Sequence, residues 1–162
     1  MEFRFAEVRD VPRILEFIRL LAEYEHMSDD VVATEELLTE WLFEKKSAEV
    51  LFALEDGKEV GFALFFRNFS TFLGRSGLYL EDLFVLPEYR GRGYGKGLLT
   101  RLAGIARERG YGRFEWSCLD WNQPSIDFYR AMGAEPMSDW TVYRVASKAL
   151  DALAERAEQI SH

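Results

Sequence analysis

Residues 90 to 97 combine alternating glycines with basic side chains, a pattern that can bind an anion. Gly91, Gly93, Gly95 and Gly97 stand at every second position, between an apolar segment and an amphipathic one. Glycine permits tight turns and close backbone approach, and the first N–H groups of a helix point at an anion bound there. From residue 90 to residue 113, seven basic residues stand against one acid, although the whole chain has a net charge of −8. The pattern predicts an anion-binding loop at the start of a helix.

Two common phosphate-binding motifs do not fit this loop. The dinucleotide pattern G-x-G-x-x-G would need its third glycine at Lys96 or at Leu98. The ATP-binding pattern G-x-x-x-x-G-K-[ST] would need a glycine at Arg90 and a serine or threonine at Gly97. What remains is an arginine followed at the third and fifth places by glycines, within residues 90 to 95.

Two acids interrupt the apolar segment before the loop. Glu81 and Asp82 lie inside residues 78 to 85, which read as a strand. Burying an ionised carboxylate in such a run lowers the stability of the fold by several kcal/mol unless the group is hydrated or paired with a cation. The two acids therefore predict a cleft. Glu81 and Asp82 are therefore candidate site residues. Adjacent strand residues face opposite sides unless a bulge intervenes.

Composition narrows the class of protein. A chain of 162 residues with 48% apolar content suits one globular domain with a full core. The net charge of −8 argues against nucleic acid as a partner, and an acidic exterior suits a cationic substrate. Apolar runs such as residues 60 to 66 are too short to span a membrane, and the first residues read as a strand, not a signal peptide. One cysteine and two histidines make a metal centre improbable, and we expect a cytoplasmic protein.

Periodicity predicts the order β-α-α-β-β-β-α-β-α-β, hence an α/β domain with a mixed sheet. Asp10 is expected to cap the first helix, and Thr34 to begin the second, whose buried side would hold Leu37, Leu38, Trp41 and Leu42. Asp56-Gly57 predicts a hairpin, and Gly110 ends the helix that follows the loop. The remaining predicted elements are strands at residues 3–8, 50–54, 60–66, 78–85, 113–119 and 140–145, a helix after Asn122 and an amphipathic tail helix at residues 147–160.

The loop resembles the pyrophosphate loop of the GNAT acyl-CoA-dependent N-acetyltransferases, and the element order is the one expected of the GNAT fold. Within that superfamily, residues 80–91 and 120–129 are similar to the spermidine/spermine (diamine) and thialysine acetyltransferases, as are residues 21–25. The likeness runs from about residue 3 to residue 145. Where the spermidine/spermine enzymes carry an acid and a tryptophan, this chain has Ser70 and Phe72, and Ser70-Thr71 looks more like the thialysine branch.

The resemblance implies coenzyme-binding residues. Backbone groups of Leu83, Phe84 and Val85 would pair with the pantetheine arm as an extra strand would. Asn122 would bond the coenzyme near the thioester, and Ser125 would help to shape the same helix start. The pyrophosphate would be held by the loop residues Arg90, Gly91, Arg92, Gly93, Tyr94, Gly95 and Lys96.

The resemblance also implies a general acid and an amine pocket. Tyr129 matches the family's acid and would protonate the leaving thiolate; as an alternative it is a core residue of an amphipathic helix. Glu81 would hold the amine, or a water that takes its proton, and Asp82 would serve substrate binding or structural bonding. Tyr24 and Glu25 would line the far end of the pocket, with Glu25 otherwise a solvated helix residue. Trp140 lies where the family closes its pocket, or else is plain core.

The predicted function is acetyl-CoA-dependent transfer of an acetyl group to a primary amine of a small cationic metabolite, directly within a ternary complex and without a metal. A peptide or protein acetyltransferase is one alternative, and a non-catalytic acyl-CoA-sensing domain is another. We expect an acetyltransferase domain at residues 1–146 and a tail helix at residues 147–162 that packs on the same domain or on a dimer partner. A homodimer is implied by the resemblance.

Overall fold

The protein is seen in a computed structural model that describes residues 1–160. It divides into two compact units, Met1–Ser117 and a second unit that begins at Cys118. The elements of the first unit follow in chain order: β1 (Glu2–Phe5), α1 (Val11–Tyr24), α2 (Glu35–Leu38), β2 (Glu49–Glu55), β3 (Lys58–Ser70), β4 (Arg75–Val85), α3 (Tyr94–Glu108) and β5 (Phe114–Trp116). The second unit contains α4 (Gln123–Ala131) and α5 (Ser147–Glu155).

The strands form one mixed sheet in the order β1-β2-β3-β4-β5. Each neighbouring pair from β1 to β4 is antiparallel, whereas β5 lies parallel to β4. A parallel pair needs a crossover connection, and α3 provides it between β4 and β5. The predicted mixed sheet is therefore confirmed.

The hairpin between β2 and β3 turns at Asp56-Gly57, as predicted. Asp56 has φ 50° and Gly57 has φ 76°, and Glu55 pairs with Lys58 across the turn. Two consecutive positive φ values define the turn type whose twist suits a two-residue hairpin. The position of this turn fixes the register of both strands.

Helix α1 packs its apolar side on the sheet through Phe17. The Phe17 ring stacks on that of Phe62 at 5.0 Å and meets that of Phe84 edge-on at 6.5 Å. Ile14 and Leu21, one turn away on either side, are buried in the same cluster. Since Phe84 lies near the end of β4, this packing fixes the end of α1 beside the acidic part of that strand.

Asp10 does not cap α1 as predicted. Its carboxylate accepts hydrogen bonds from Arg4 Nη1 at 2.8 Å and from the Glu7 N–H at 2.7 Å. A short 3₁₀ turn at Val8–Asp10 precedes the helix, so Asp10 already has helical φ and ψ, and the extended conformation of an N-cap is lost. The hydrogen bond from Arg4 is the main cause that lowers the pKa of Asp10, whose side chain therefore ties β1 to the start of α1.

Thr34 begins the second helix as predicted, and its Oγ1 accepts a hydrogen bond from the Leu37 N–H at 3.2 Å. The predicted buried side is wrong at two positions, because Leu37 is 44% exposed and Trp41 47% exposed, while Leu42 is buried. The helix continues as a π-helix over Thr39–Glu44. A π turn holds more residues than an α turn, so the 3.6-residue period used for the prediction no longer applies.

The helix predicted after Asn122 is present in the second unit. The Oδ1 atom of Asn122 accepts a hydrogen bond from the Ser125 N–H at 3.4 Å. The tail helix α5 is also present from Ser147, although residues 161 and 162 of the predicted tail lie outside the described residues. The predicted strand at residues 140–145 is wrong: Trp140 is 79% exposed, and the strands described in residues 1–160 all belong to the first unit. Apolar alternation makes a strand only where a neighbouring strand supplies hydrogen bonds. The predicted strand at residues 113–119 is shortened to β5.

Two glycines of α3 provide a test of the packing between β1 and this helix. A Cβ on Gly97 would meet the side chain of Met1 and lie 3.1 Å from Phe3 Cζ, whereas a Cβ on Gly104 would meet nothing within 4 Å. Replacing glycine by alanine inside a helix normally stabilises it by about 1 kcal/mol. We expect Gly104→Ala to raise the free energy of unfolding by that amount, and Gly97→Ala to raise it less or not at all, because the Met1 side chain and the Phe3 ring must move to admit the Cβ. Urea denaturation of both variants measures this, and equal gains in stability would contradict the packing.

Candidate active site

The glycine loop leads into the N-terminus of α3, and two of its glycines have backbone conformations that other residues rarely adopt. Gly91 has φ 76° and Gly93, the N-cap residue, has φ 87°. The first hydrogen bond of the helix runs from the Gly97 N–H to the Gly93 carbonyl at 2.8 Å. The N–H groups of the three residues between them therefore have no carbonyl partner within the helix. Gly93 has no side chain to cap them, so this 15-residue helix offers them to an anion.

Glu55, at the end of β2, holds the start of α3. The Tyr94 hydroxyl donates to Glu55 Oε1 at 2.8 Å, and Arg92 Nη1 lies 3.3 Å from both carboxylate oxygens. The hydrogen bond to Glu55 is the main cause that raises the pKa of the buried Tyr94. The side chain of Tyr94 therefore anchors the loop to the hairpin, and its backbone N–H is the group that faces an anion.

Arg90 connects the loop with the end of β4 and with α1. Its Nε donates to the Val85 carbonyl at 3.0 Å. Its guanidinium lies 5.2 Å from the centre of the Tyr24 ring and 5.1 Å from that of Phe84, within cation–π range. The contacts place Tyr24, the end of β4 and the anion loop next to one another.

The last residues of β4 present peptide groups on the side away from β3. The Leu86 N–H donates to the Val60 carbonyl of β3, and in an antiparallel pair alternate residues direct their peptide groups to opposite sides. The peptide groups of Phe84 therefore face β3. The peptide groups of Leu83 and Val85 face the other side, where the Val85 carbonyl accepts the hydrogen bond from Arg90. Within the first unit β5 pairs with β4 only at Leu78–Leu80. Leu83 and Val85 can therefore bond an extended ligand.

A β-bulge lies between the paired part of β4 and this open part. Leu80 pairs with Phe65 and Asp82 with Leu64, so Glu81 is the extra residue. Beyond the bulge the strand alternates regularly, so Asp82 lies on the same side of the sheet as Phe84, which packs against α1. Glu81 is exposed, and Asp82 is half-buried. This bulge is the exception to strand alternation that would let both acids serve one site.

Three carboxylates meet at the bulge. Burial, together with the negative charges of Glu81 and Glu25, raises the pKa of Asp82 to about 7. Glu25 directly follows α1, and burial also raises the pKa of its side chain. Tyr24 meets the Phe84 ring edge-on at 6.5 Å. Four predicted site residues, Tyr24, Glu25, Glu81 and Asp82, are thus brought together, and the cluster attracts a cation.

The remaining predicted site residues belong to the second unit. The Asn122 side chain caps α4 through the Ser125 N–H, and the Tyr129 ring lies 5.5 Å from that of Phe128. Trp140 is largely exposed. The roles of Asn122, Ser125 and Tyr129 stay predictions.

Sequence reasoning missed a second polar group in the first unit. Asn68 Nδ2 donates to Glu115 Oε1 at 3.4 Å, and the Tyr79 and Ser117 hydroxyls are 2.8 Å apart. The Phe66 and Tyr79 rings lie 5.1 Å apart. Glu115 stands between two aromatic residues, so the rule that identified Glu81 and Asp82 would have identified it as well.

The raised pKa of Asp82 predicts how the stability of the protein depends on pH. A carboxyl whose pKa is higher in the folded state than in the unfolded state binds its proton more tightly when folded, so stability falls as pH rises. With a folded pKa of about 7 against 3.8, we expect the free energy of unfolding to fall by roughly 2 kcal/mol between pH 5 and pH 8. Asp82→Asn should remove most of that fall. Urea denaturation at both pH values measures it, and an unchanged slope in the variant would contradict the assignment.

Comparison with known proteins agrees with this geometry. The model of the acetyltransferase (GNAT) family matches residues 14–134. The chain is 36% identical over 163 residues to the thialysine N-epsilon-acetyltransferase of Bos taurus, covering 93% of this chain and 95% of that protein. It is 44% identical over 100 residues to the L-ornithine N5-acetyltransferase of Arabidopsis thaliana, covering 62% of this chain and 44% of that protein.

A solved structure resembles the whole chain. It is that of an integron cassette protein from the mobile metagenome of V. cholerae, with a TM-score of 0.79 and 28% identity, covering 95% of this chain and 97% of the other. The predicted fold class, a mixed five-stranded sheet with flanking helices, is confirmed. From the family match and the relative that covers nearly its full length, this chain belongs to the GNAT family of acetyltransferases.

Proposed function

We propose that this enzyme transfers an acetyl group from acetyl-CoA to a primary amine of a small cationic metabolite. GNAT acetyltransferases use acetyl-CoA. The observation that carries the proposal is the cluster of Glu25, Glu81 and Asp82 directly beside the open edge of β4. The names of the relatives, which act on thialysine and on L-ornithine, support a basic amine as the acceptor.

The first unit has the features that acetyl-CoA needs. A pyrophosphate would lie at the N-terminus of α3, and the extended pantetheine arm would bond the peptide groups of Leu83 and Val85. Gly95 supports this fit, because a Cβ there would lie 3.9 Å from Val85 Cγ2 and would therefore be accepted by the protein itself. A glycine that packing does not require leaves room for a closely approaching ligand.

The reaction forms a bond between the amine nitrogen and the acetyl carbon, and it breaks the bond between that carbon and sulfur. The amine must lose a proton, and Asp82, with a pKa of about 7, is suited to accept it near neutral pH, directly or through water. The exposed Glu81 would hold the ammonium form of the substrate. Tyr129 would return a proton from its hydroxyl group to the thiolate that leaves. Direct transfer in a ternary complex needs no acetylated side chain.

Two further predictions accompany this function. A homodimer is supported by α5, which leaves Leu150 and Leu153 half exposed, and by the exposed side chains of Trp140, Val142 and Tyr143. A second copy of the chain would cover them. A cytoplasmic location remains a prediction, and within residues 1–160 no helix is long and apolar enough to cross a membrane.

The activity is tested by thiol release from acetyl-CoA at about pH 8 with spermidine, putrescine, lysine, thialysine and a peptide as acceptors. We expect release with one or more small amines, and a loss of about 100-fold in kcat for Tyr129→Phe if it is the acid. Release with the peptide alone would favour the peptide-acetylating alternative. No release with any acceptor, although acetyl-CoA raises the Tm, would indicate an acyl-CoA-sensing domain.

The coenzyme site is tested separately by Gly95→Ala. Because the protein has room for the Cβ, the variant should be as stable as the wild type or up to about 1 kcal/mol more stable. The added methyl group would reduce the space for the pyrophosphate, so we expect the Kd for acetyl-CoA to rise about tenfold. Calorimetric titration with acetyl-CoA gives the Kd, and Gly104→Ala in the same helix is the matched control. An unchanged Kd in Gly95→Ala would place the pyrophosphate elsewhere.

A further inference from the structure

The ion pair between Glu55 and Arg92 places a negative charge beside a loop that suits an anion. Both carboxylate oxygens of Glu55 lie 3.3 Å from Arg92 Nη1. Arg92 directly precedes Gly93, the N-cap residue of α3. The start of a helix attracts negative charge and disfavours a cation, because its N–H groups and its dipole point outward there. Glu55 therefore supplies the negative charge that this helix start favours, and it neutralises Arg92.

A second pair joins the same strand and the same helix at their other ends. Glu49, the first residue of β2, accepts from Arg109 Nη1 at 2.7 Å and from Nη2 at 3.0 Å, and Arg109 is the C-cap residue of α3. Short contacts through two nitrogens are strong, and the helix dipole favours a cation at that end. The pair of Glu55 and Arg92 is longer, uses one nitrogen and lies where the dipole disfavours the cation. It is therefore the weaker pair, and the one whose anion is more easily replaced.

Arg92 is held beside the loop by a second contact. Its guanidinium lies 5.2 Å from the centre of the Tyr89 ring, and Lys58 Nζ lies 6.0 Å from the same point. The Tyr89 ring in turn meets the Tyr94 ring edge-on at 6.3 Å. A cation–π contact holds the guanidinium whichever anion it pairs with. The Arg92 side chain is 53% exposed, so an anion from solution can reach it.

Glu55 is fixed more firmly than Arg92. Its Oε1 accepts the hydrogen bond from the Tyr94 hydroxyl at 2.8 Å, and Tyr94 is buried. The neighbouring Asp56 adds a further negative charge that acts on Tyr94. A ligand anion at Arg92 must therefore compete with a carboxylate that stays in place.

We propose that Arg92 exchanges Glu55 for a phosphate group of acetyl-CoA, and that this competition makes Glu55 a residue that lowers the affinity for the coenzyme. This role rests on the proposed function, in which acetyl-CoA is the anion that reaches the loop. Glu55 contacts no reacting atom, so it acts on binding and release and not on bond making. The competition should speed the release of CoA after the transfer, because differences in affinity within one site appear mainly in the dissociation rate.

The test measures the Kd of acetyl-CoA and of CoA by calorimetric titration in the wild type, Glu55→Gln and Arg92→Gln. In Glu55→Gln the carboxamide oxygen can still accept the Tyr94 hydroxyl, so the loop keeps its anchor while the competing charge is lost. We expect both Kd values to fall about threefold in this variant, because an exposed ion pair no longer has to be broken. In Arg92→Gln we expect them to rise about tenfold, because a charged hydrogen bond to phosphate is lost. Competition thus predicts effects of opposite sign.

Glu49→Gln is the matched control, because it breaks a pair between the same strand and the same helix at the far end of both. Its Kd values should equal those of the wild type. If Glu55→Gln and Arg92→Gln both raised the Kd, the pair would serve only to hold the loop, and competition would be ruled out. An unchanged Kd in Glu55→Gln would rule it out as well.

Failure of the proposed function has a different signature in the same experiment. A wild-type protein that bound no acetyl-CoA would overturn the proposed function and the competition together. Binding by the wild type, combined with either of the two results that rule out competition, would overturn the role of Glu55 alone.

Discussion

The arrangement of the site depends on the single extra residue in β4. Without the bulge at Glu81, Asp82 would pair one position further along β3 and face the opposite side of the sheet, away from α1. Because of the bulge, Asp82 and Phe84 both lie on the side of the sheet that faces α1, where the Phe84 ring is fixed by Phe17. Beyond it, β4 is no longer paired with β5, which exposes the peptide groups of Leu83 and Val85. The bulge thus gathers the acids, and the short β5 leaves the neighbouring edge of β4 open for an extended ligand.

The glycines of the loop and of α3 serve separate physical purposes. Gly91 and Gly93 supply positive φ, so the chain can turn into the helix without strain. Gly97 lets Met1 and Phe3 approach the helix, which is a matter of packing. Gly95 meets neither need, since its φ is ordinary and its surroundings accept a Cβ. The alternating glycines look equivalent in the sequence but have different roles. Some allow a positive φ, one allows close packing and, by our proposal, one leaves space for the ligand.

Local signals in the sequence predicted local structure well. The hydroxyl cap at Thr34, the turn at Asp56-Gly57 and the left-handed cap at Gly110 depend on a few neighbouring residues, and each is confirmed. The failures have non-local causes. Asp10 is held by Arg4 of another element, Trp41 lies within the π-helix, and residues 140–145 have apolar alternation without a paired strand. In the site, Glu81 and Asp82 could be identified from the sequence because they interrupt an apolar strand. The side of the sheet on which they lie could not be predicted, because it depends on how β4 pairs with β3.

The acidic cluster couples substrate binding to protonation. The pKa of Asp82 is raised because its charged form loses hydration and lies beside two like charges. A bound ammonium group offsets the repulsion by the two like charges. It therefore favours the charged form of Asp82 and lowers its pKa towards that of an ordinary carboxyl. A cationic acceptor would therefore displace a proton from Asp82 as it binds, so the carboxyl that is about half protonated in the free enzyme near pH 7 would be charged in the complex. The three neighbouring carboxylates destabilise the free protein, and a bound cation relieves that repulsion. The same carboxylates therefore make the site selective for cations.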